Sequence, residues 1–587
     1  MMVRRKTKII CTLGPAVKDV EILKQLLING MNLARFNFSH GTHQYHGELM
    51  EMVREASRQT SIPVAILLDT KGPEIRTGPT KNDLPITLER GKEIILTTEE
   101  VPGDSKILSI SHKTLPKEIS PGKHIFIADG VVDLEVTGIC GNEIHCQIQS
   151  GAVIGSHKNV NVTGIKSSLP AITDRDIKDI MFGIENHIDF IAASFIRKPD
   201  DVKQIRSIID ISDAKIDIIA KIEDQEGLDN LDEIIRVSNG IMVARGDLGV
   251  QIDASEIPLV QKRTIKKCNL ANKPVITATQ MLDSMIHNPL PTRAETNDVA
   301  NAIFDGTDAV MLSGETANGK YPVKAVAMMH KIALEIENSP EYKEKIHSLS
   351  APQAKLNMAE SIAHSGFMAS RDMQASILTP TLRGNTPRLI SKYRPANCII
   401  AVTPHGSVLR NLLLYWGVYP LLSKMVENSD LMIEDSIHKA LKAGLLKPFD
   451  KVVIMAGIPI NSPIMLNTIR LHMIGKVIGK SARGYGKTAS GRIVKVANLE
   501  EAQARIKGDG TEILLTRFID ESFKPVLAKT AGYILESFSS ISWEEIVVVN
   551  PELVGLATTP DAMKNLKDGQ LVTIDGKEKI IFEGLKP

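Results

Sequence analysis

The sequence predicts a closed parallel (β/α)8 barrel, interrupted by a small β domain and followed by two further α/β units. Three observations carry that reading. Eight short apolar, β-branched runs recur, and amphipathic stretches with helical spacing lie between them. Between Lys71 and Lys166 the pattern changes to short alternating strands with glycine-rich turns. Past residue 338 a polar stretch precedes a renewed alternation of helix and strand. At 587 residues the chain exceeds one core, and its length alone suggests roughly four domains.

The eight runs are "TKIICTLGP" (7–15), "MNLARFNFSH" (31–40), "PVAILLDTKG" (63–72), "DFIAASFIRK" (189–198), "KIDIIAKIE" (215–223), "NGIMVARGDLG" (239–249), "KPVITATQML" (273–282) and "TDAVMLSGE" (307–315). Near-continuous apolar strands suit a parallel sheet covered on both faces. Helical stretches such as "DVEILKQLLINGM" and "PDDVKQIRSIID" separate them, and Gly or Asn punctuates their ends. A doubly wound open sheet is the alternative arrangement. The barrel is assigned to 1–71 and 167–340. The insert, 72–166, contains "GKHIFIADGVVDLEVTG" and "NEIHCQIQSG" and reads as a small β-barrel or sandwich. It interrupts the barrel after its third strand, above the strands' C-terminal ends, which is the place for a lid.

The stretch "NSPEYKEKIHSLSAPQAK" (338–355) reads as a polar linker. The next unit, 355–475, has "ASILTP", "NCIIAVTP" and "DKVVIMAGIPI" as its strands. "GKSARGYGKTASGR" (479–492) reads as a solvated connector. Its "GKT" at Gly486–Thr488 mimics the end of a phosphate-binding loop, but Ser481 replaces the leading glycine and no strand runs straight into it. The last unit, 491–587, is small and mixed α/β.

Composition excludes several function classes. A formal net charge of +1 does not mark a polyanion binder, and 4% aromatics leave few stacking platforms for single-stranded nucleic acid. Cys11, Cys140, Cys146, Cys268 and Cys398 form no CxxC pair, which suits a reducing cytosol, and "CGNEIHC" has no zinc spacing. The basic N-terminus has an apolar run that stops at Gly14-Pro15, and no 18-residue apolar segment exists. A soluble cytoplasmic protein, with neither membrane nor nucleic acid as partner, is expected.

In a barrel of this kind, polar residues at the C-terminal strand ends are the functional candidates. They are Arg35, Asn37 and Ser39; Asp69 and Thr70; Ser194; Lys221 and Glu223; Arg245 and Asp247; Thr279; Ser313 and Glu315. Lys221 and Glu223 share a face because strand side chains alternate. A terminal ion pair is the plain alternative for that couple. Glu223 and Asp247, from neighbouring strand ends, offer the two hard oxygen donors, with room for substrate and water, that Mg²⁺ favours. The glycine-rich "ARGDLG" turn offers backbone N–H groups for a carboxylate. Arg35, Arg76 and Lys221 supply cations. With Mg²⁺ they form a set for phosphoryl transfer, where positioning and charge neutralisation do most of the catalysis. No His or Cys is placed as a nucleophile; His40 alone reads as structural.

The segments "CTLGPA", "GMNLARFNFSHG", "LLDTKGPEIRTG", "ASFIRK", "AKIED", "GIMVARGDLGV", "KPVITATQMLDSM", "PTRAETNDVANAIFDGTDAVMLSGETANGKYP" and "SKYRP" occur in this order. Together they resemble the pyruvate kinase family, from Lys6 to about Gly475. The resemblance implies transfer of the phosphoryl group of phosphoenolpyruvate to ADP, giving pyruvate and ATP, usually by a homotetramer. It implies Mg²⁺ (or Mn²⁺) on Glu223 and Asp247, with Lys221 neutralising the phosphoryl group in flight. Arg35 would hold the phosphate side, with Arg76 nearby. Asn37, Ser39, Asp69 and Thr70 would bind K⁺, on which a Glu at position 74 implies dependence. Gly246 and Asp247 amides would take the substrate carboxylate. Thr279 would sit beside the enolate carbon, and Ser313 would belong to the polar relay. Asn37 and His40 would face the nucleotide phosphates, as would Arg76.

Two departures stand out. The family's effector loops here read "TLRGNTPR", where Thr381, Gly384 and Thr386 remain but Arg383 replaces a common Ser, and "GIPINSPIMLN", where Pro463 and Ile464 replace a polar turn. Pro removes a donor and Ile adds bulk, both of which oppose a phosphate. The final unit resembles the extra domain of some bacterial members, itself similar to the phosphohistidine domain of other phosphoenolpyruvate-using enzymes. Its "SSISWEEI" has Trp543 in place of His, so a structural or regulatory role is expected. A metal-dependent lyase on a related barrel, acting on pyruvate or oxaloacetate enolates, and a non-catalytic regulatory paralogue remain the other readings.

Overall fold

The computed structural model describes residues 4–128, 130–165, 168–349, 356–426, 428–458, 466–508 and 510–585. The chain divides into two compact units, 1–439 with 453–470 and 440–452 with 471–587. In the first, strands Lys8–Thr12, Leu33–Asn37, Ala65–Asp69, Phe190–Ala193, Asp217–Ile222, Gly240–Ala244, Val275–Ala278 and Ala309–Leu312 form a closed barrel. Every ladder is parallel, and the first strand closes on the eighth from Lys8↔Ala309 to Cys11↔Leu312. Each strand lies inside one of the eight apolar runs. Closure overturns the open-sheet alternative.

Strand alternation sorts the barrel side chains into two cores. Ile10, Leu33, Leu67, Ile219, Met242 and Met311 belong to one buried cluster, while their chain neighbours Ile9, Ala34, Leu68, Ala220, Val243 and Leu312 belong to another with the helices. Fully burying one such aliphatic side chain stabilises by about 1.5–3 kcal/mol. Local caps set the helix starts: Asp19 accepts from Ile22 before Val20–Ile28, and Thr173 and Thr292 form capping boxes before Asp174–Glu185 and Arg293–Asp305.

The insert contains a seven-stranded sheet and a two-stranded ribbon. A bridge between Thr77 and Ile110 joins the strand Ile75–Arg76 to Ile107–Ser109, the two ends of the seven-stranded order, so the sheet curls shut around Leu96, Ile125, Leu134 and Ile144. Closing a sheet removes its exposed edges.

The stretch read as a polar linker is instead a helix over Pro340–Leu349, preceding 356. Tyr342 and Ile346, one helical turn apart, join the barrel–helix core. The following α/β region has a five-stranded sheet in which Ser376–Pro380, Ile399–Thr403 and Val418–Leu422 run parallel. Val418–Leu422 and Thr468–Met473 are additional to the three strands expected there. Pro420 inside the one, and half-exposed residues throughout much of the other, hide them from an apolar-run search.

The second unit carries an eight-stranded mixed sheet in the order Val477–Lys480, Ile580–Glu583, Leu571–Asp575, Thr488–Lys495, Glu512–Thr516, Gly532–Leu535, Val554–Ala557 and Arg483–Tyr485. The stretch read as a solvated connector therefore supplies strands, and the sheet begins at Val477, ahead of residue 491. The glycines there mark close backbone approach: a Cβ on Gly484 would lie 2.1 Å from the Gly576 carbonyl oxygen, and one on Gly491 would lie 2.3 Å from that of Thr511.

Candidate active site

The inward face of six of the eight barrel strands changes from apolar to polar at its C-terminal end, while Met242 and Ile276 are followed by Ala244 and Ala278. Ile10 is followed two residues on by Thr12, Leu33 by Arg35, Leu67 by Asp69, Ala192 by Ser194, Ile219 by Lys221 and Met311 by Ser313. The same alternation that fills the barrel thus aims these groups at one rim. Glu223 follows directly after the strand Asp217–Ile222, where Asp224 caps the next short helix by accepting from the Gly227 amide at 2.8 Å.

Lys221 is the hub. Its Nζ lies 2.8 Å from Glu223 Oε1, 3.1 Å from Asp69 Oδ1 and 2.8 Å from Ser194 Oγ. Arg35 reaches the same carboxylate from another strand, with Nε 2.6 Å from Asp69 Oδ2, and donates through Nη1 to Thr12 Oγ1 at 2.8 Å. Glu223 Oε2 accepts from the Phe195 amide at 2.6 Å. Glu223 and Asp69 are 2% and 1% exposed, so these charges exchange solvent for one another. Such a buried network adds little net stability, but removing one member strands its partners at a cost of about 3–5 kcal/mol.

Burial pushes the Glu223 carboxyl above its usual range, Lys221 opposes that, and the charge of Asp247 adds to the rise. Burial would lower the Lys221 ammonium, but Asp69, Glu223 and Asp247 more than offset it and hold Lys221 charged. Burial also acts to raise Asp69, yet Arg35 and Lys221 keep it below the usual carboxylate range. Asp247 thus lies within electrostatic reach of the hub. It is itself exposed, on the short helix Arg245–Gln251, and it lines a cleft of about 290 Å³ with Glu74, Phe195, Asp224 and Gln251.

Backbone strain gathers at the same rim. Thr279, Gln280 and Phe195 have φ of +64°, +54° and +54°. A β-branched residue in the left-handed region is a true outlier and has to be held there by its surroundings. Here Thr279 Oγ1 accepts from the Gly246 amide at 2.8 Å, and Arg245 donates to the Thr279 carbonyl at 2.7 Å. The Gly246 amide, expected to be free for a carboxylate, is therefore already engaged. Arg245, a strand-end candidate, is a buried brace that also pairs with Asp298 at 2.7 Å. The Ser313 hydroxyl oxygen is buried and has no hydrogen-bond partner, while its amide donates to Glu315 at 2.7 Å.

Arg76 takes its partners from the insert. Its guanidinium is held by Glu74, 2.7 Å away, and by the His157 carbonyl. Both are partners within reach of the insert strand that carries it. Asn37 Oδ1 accepts from the Ser39 amide at 3.1 Å, and Thr70 Oγ1 accepts from the Ser194 amide at 3.1 Å. His40 is exposed, and its carbonyl accepts from His46 at 2.8 Å. Thr12 escaped the sequence reading although it obeys the same strand-end rule; its signal was the first polar inward residue after Ile10. Of the effector loops, Gly384 has φ +79° and donates to Thr381 Oγ1 at 3.0 Å. Pro463 and Ile464 lie outside the described residues.

The donor chemistry fits a divalent cation. Glu223 is a buried carboxylate whose charge is opposed by its surroundings and by Asp247, and a dication between the two would relieve both effects. Among the described residues no group of three or more His, Cys, Asp or Glu is arranged to hold a metal, so the remaining ligands have to come from substrate and water.

The family model for the pyruvate kinase barrel domain matches residues 4–326, and that for the pyruvate kinase alpha/beta domain matches 360–472. The pyruvate kinase of Geobacillus stearothermophilus is 45% identical over 586 residues, covering 99% of each chain. That of Bacillus licheniformis is 44% identical over 588 residues, again covering 99% of each. A crystal structure of a pyruvate kinase from Cryptosporidium parvum aligns with a TM-score of 0.76 at 41% identity, covering 80% of this chain and 96% of that one. With two family models matched in order and bacterial relatives aligned nearly end to end, the chain belongs to the pyruvate kinase family and is a phosphotransferase.

Proposed function

We propose that this enzyme transfers the phosphoryl group of phosphoenolpyruvate to ADP at the rim organised by Lys221. The observation that carries the assignment is the buried ammonium group fixed between Glu223, Asp69 and Ser194 at the strand ends. Family membership implies dependence on a divalent metal and potassium in general. We assign the divalent ion, Mg²⁺ or Mn²⁺, to Glu223 and Asp247; when bound it supplies a positive centre that polarises the enolate and phosphoryl oxygens. Lys221 neutralises the phosphoryl group as it moves, since an ammonium aimed at developing charge in a dry site needs no reorganisation. Arg35, anchored by Asp69 and Thr12, orients the phosphate. Thr279 stands beside the enolate carbon, and the unpartnered Ser313 hydroxyl suits a proton relay.

Asn37, Ser39, Asp69 and Thr70 are the proposed K⁺ ligands, and Asn37, His40 and Arg76 the nucleotide-facing groups. Both Asp69 oxygens are engaged by Arg35, Lys221 and Ser194, so K⁺ shares Asp69 rather than finding it free. Gly246 has to exchange its Thr279 bond for the substrate carboxylate. A homotetramer in the cytoplasm follows from the family, and sedimentation tests the assembly. We keep 355–475 as the regulatory region, and place the start of the extra C-terminal domain at Val477.

The test is a coupled assay for ATP from phosphoenolpyruvate and ADP, with and without Mg²⁺ and K⁺, repeated across sugar phosphates and nucleotides. Turnover requiring both cations is expected. No ATP, together with metal-dependent breakdown of oxaloacetate, would replace this reading by the lyase.

A further inference from the structure

The insert leaves the barrel after Asp69 and returns at Thr173, and one buried carboxylate touches both crossings. Asp176 Oδ1 accepts from the Gly72 amide at 3.0 Å. Its Oδ2 accepts from the Thr173 amide at 2.9 Å and the Thr173 hydroxyl at 2.6 Å. The capping box itself needs only the Thr173 amide bond to Asp176 and the reciprocal bond from the Asp176 amide to Thr173 Oγ1, 3.1 Å. The bond to Gly72 reaches 104 residues back along the chain and serves no helix cap. Asp176 is 2% exposed.

The outgoing crossing has one path. Gly72 has φ +70°, and a Cβ there would lie 2.8 Å from the Phe195 ring and 2.9 Å from Ser194 Cβ. Phe195 and Ser194 are the residues whose amide and hydroxyl hold Glu223 and Lys221. Two residues before Gly72, the Thr70 carbonyl accepts from Ser194 at 2.7 Å. The adjacent helix residue, Arg175, donates to the Phe38 carbonyl at 3.0 Å, between Asn37 and Ser39. The returning crossing is gripped again where Arg197 donates to the Leu169 carbonyl.

We propose that Asp176 is a positioning residue for phosphotransfer: it clasps both crossings of the insert to one helix turn. The seating of the insert over the rim, and of the Asp69–Gly72 loop beside Lys221, then depend on one carboxylate. Asp176 touches no substrate. In Asp176→Asn the amide nitrogen presents donors where two donors already point, so one crossing is released. The fraction of molecules with the insert seated falls, and apparent substrate affinity falls with it.

The experiment rests on the reaction proposed above and uses the full-length enzyme. Asp176→Asn and Thr173→Val are compared with Asp174→Asn, which removes an exposed charge from the same turn. Three readouts are taken: kcat and KM for both substrates, amide exchange across 70–73 and 169–173, and a fluorophore on Cys140. That thiol is the exposed one; Cys11, Cys146 and Cys268 are buried and Cys398 is half-buried. Asp176→Asn is expected to raise KM for phosphoenolpyruvate and ADP about tenfold with kcat changed less than about threefold. Exchange across both crossings should quicken, and the Cys140 response to Mg²⁺ with phosphoenolpyruvate should shrink by about half or more. Asp174→Asn should match the unmodified enzyme. If Asp176→Asn does not fold, Thr173→Val should shift the same readouts in the same direction, by about threefold in KM.

Variants with KM values matching Asp174→Asn would overturn the clasp. So would a raised KM with unchanged exchange across 70–73. An unmodified enzyme that makes no ATP would defeat the proposed reaction instead, and the exchange data would still decide on the clasp.

Discussion

At the barrel rim the chain buries charge, whereas at the strand ends of the second unit it exposes aromatic groups. Lys221, Glu223, Asp69 and Arg35 are all largely shielded from solvent, and each is held by at least one other member of the set. In the second unit, Phe518 and Phe538 follow the strands Glu512–Thr516 and Gly532–Leu535 and are 54% and 63% exposed. Where the resemblance to a phosphohistidine domain would place the reactive imidazole, Trp543 stacks on Tyr485 with ring centres 4.7 Å apart. The difference teaches where reaction chemistry lies in this chain. A buried, mutually held set of charges is expensive to assemble and is strong toward a transition state for that reason. A stacked aromatic pair at a helix start contributes packing and specificity of shape, with no proton or nucleophile to offer.

Four substitutions or truncations break or sharpen this contrast, in decreasing order of effect. Lys221→Met should lower kcat by more than about 10²-fold, on the order of 3–4 kcal/mol, with circular dichroism unchanged. Unchanged turnover would reject the whole assignment. Glu223→Gln should lower kcat/KM by roughly 10²-fold and raise the Mg²⁺ concentration needed for half activity. Equal Mg²⁺ dependence in variant and parent would move the metal elsewhere. In the second unit, truncation after Ser490 should produce insoluble chain, because it leaves Val477–Lys480, Arg483–Tyr485 and Thr488–Ser490 without their sheet partners. Truncation after Lys476 should keep kcat within about threefold by the same coupled assay, since the charged rim is untouched. A soluble but inactive product of that cut would give the second unit a catalytic part.

The smallest effect concerns pH. Burial raises the Asp224 carboxyl to about 6, while the Gly227 amide pulls it down. The folded state therefore prefers the protonated form: the favourable contribution is present below the ordinary carboxyl range and is lost as pH rises through about 6. Asp224→Asn keeps an effective helix cap and removes the charge. It should raise Tm near pH 7.5, by on the order of 1 kcal/mol of stability, and give little difference near pH 4. Differential scanning fluorimetry at the two pH values reads this directly. A gain that is equal at both would locate the effect in packing rather than in charge.

The barrel was legible because its signal is local and repeated. Each strand is a short apolar run, and in six of the eight a polar residue follows on the same face two positions along, as with Ile219 and Lys221. The Lys221–Glu223 contact followed from that period alone. What escaped is set by tertiary partners. The Gly246 amide looked free in "ARGDLG", and only the positive-φ turn at Thr279 brings a hydroxyl to it. The partners of Arg76 escaped too, since the insert strand that carries it also brings Glu74 to its guanidinium. Gly484 and Gly491 looked like linker residues because a close backbone approach and a flexible turn use the same amino acid. Tyr342, Ile346 and Leu349 do stand at helical spacing in 338–355, but the polar and charged residues around them masked that short pattern. Asp176 gave no signal in the sequence, since its partner Gly72 lies 104 residues back, in the loop after the third strand.

The central claim is that Glu223 and Asp247 hold one divalent ion beside Lys221. Mn²⁺ binding followed by electron paramagnetic resonance tests it most directly, in the parent chain and in the Glu223→Gln, Asp247→Asn double variant. The account predicts one tight Mn²⁺ per chain in the parent and none in the double variant. Undiminished stoichiometric binding in the double variant would contradict it.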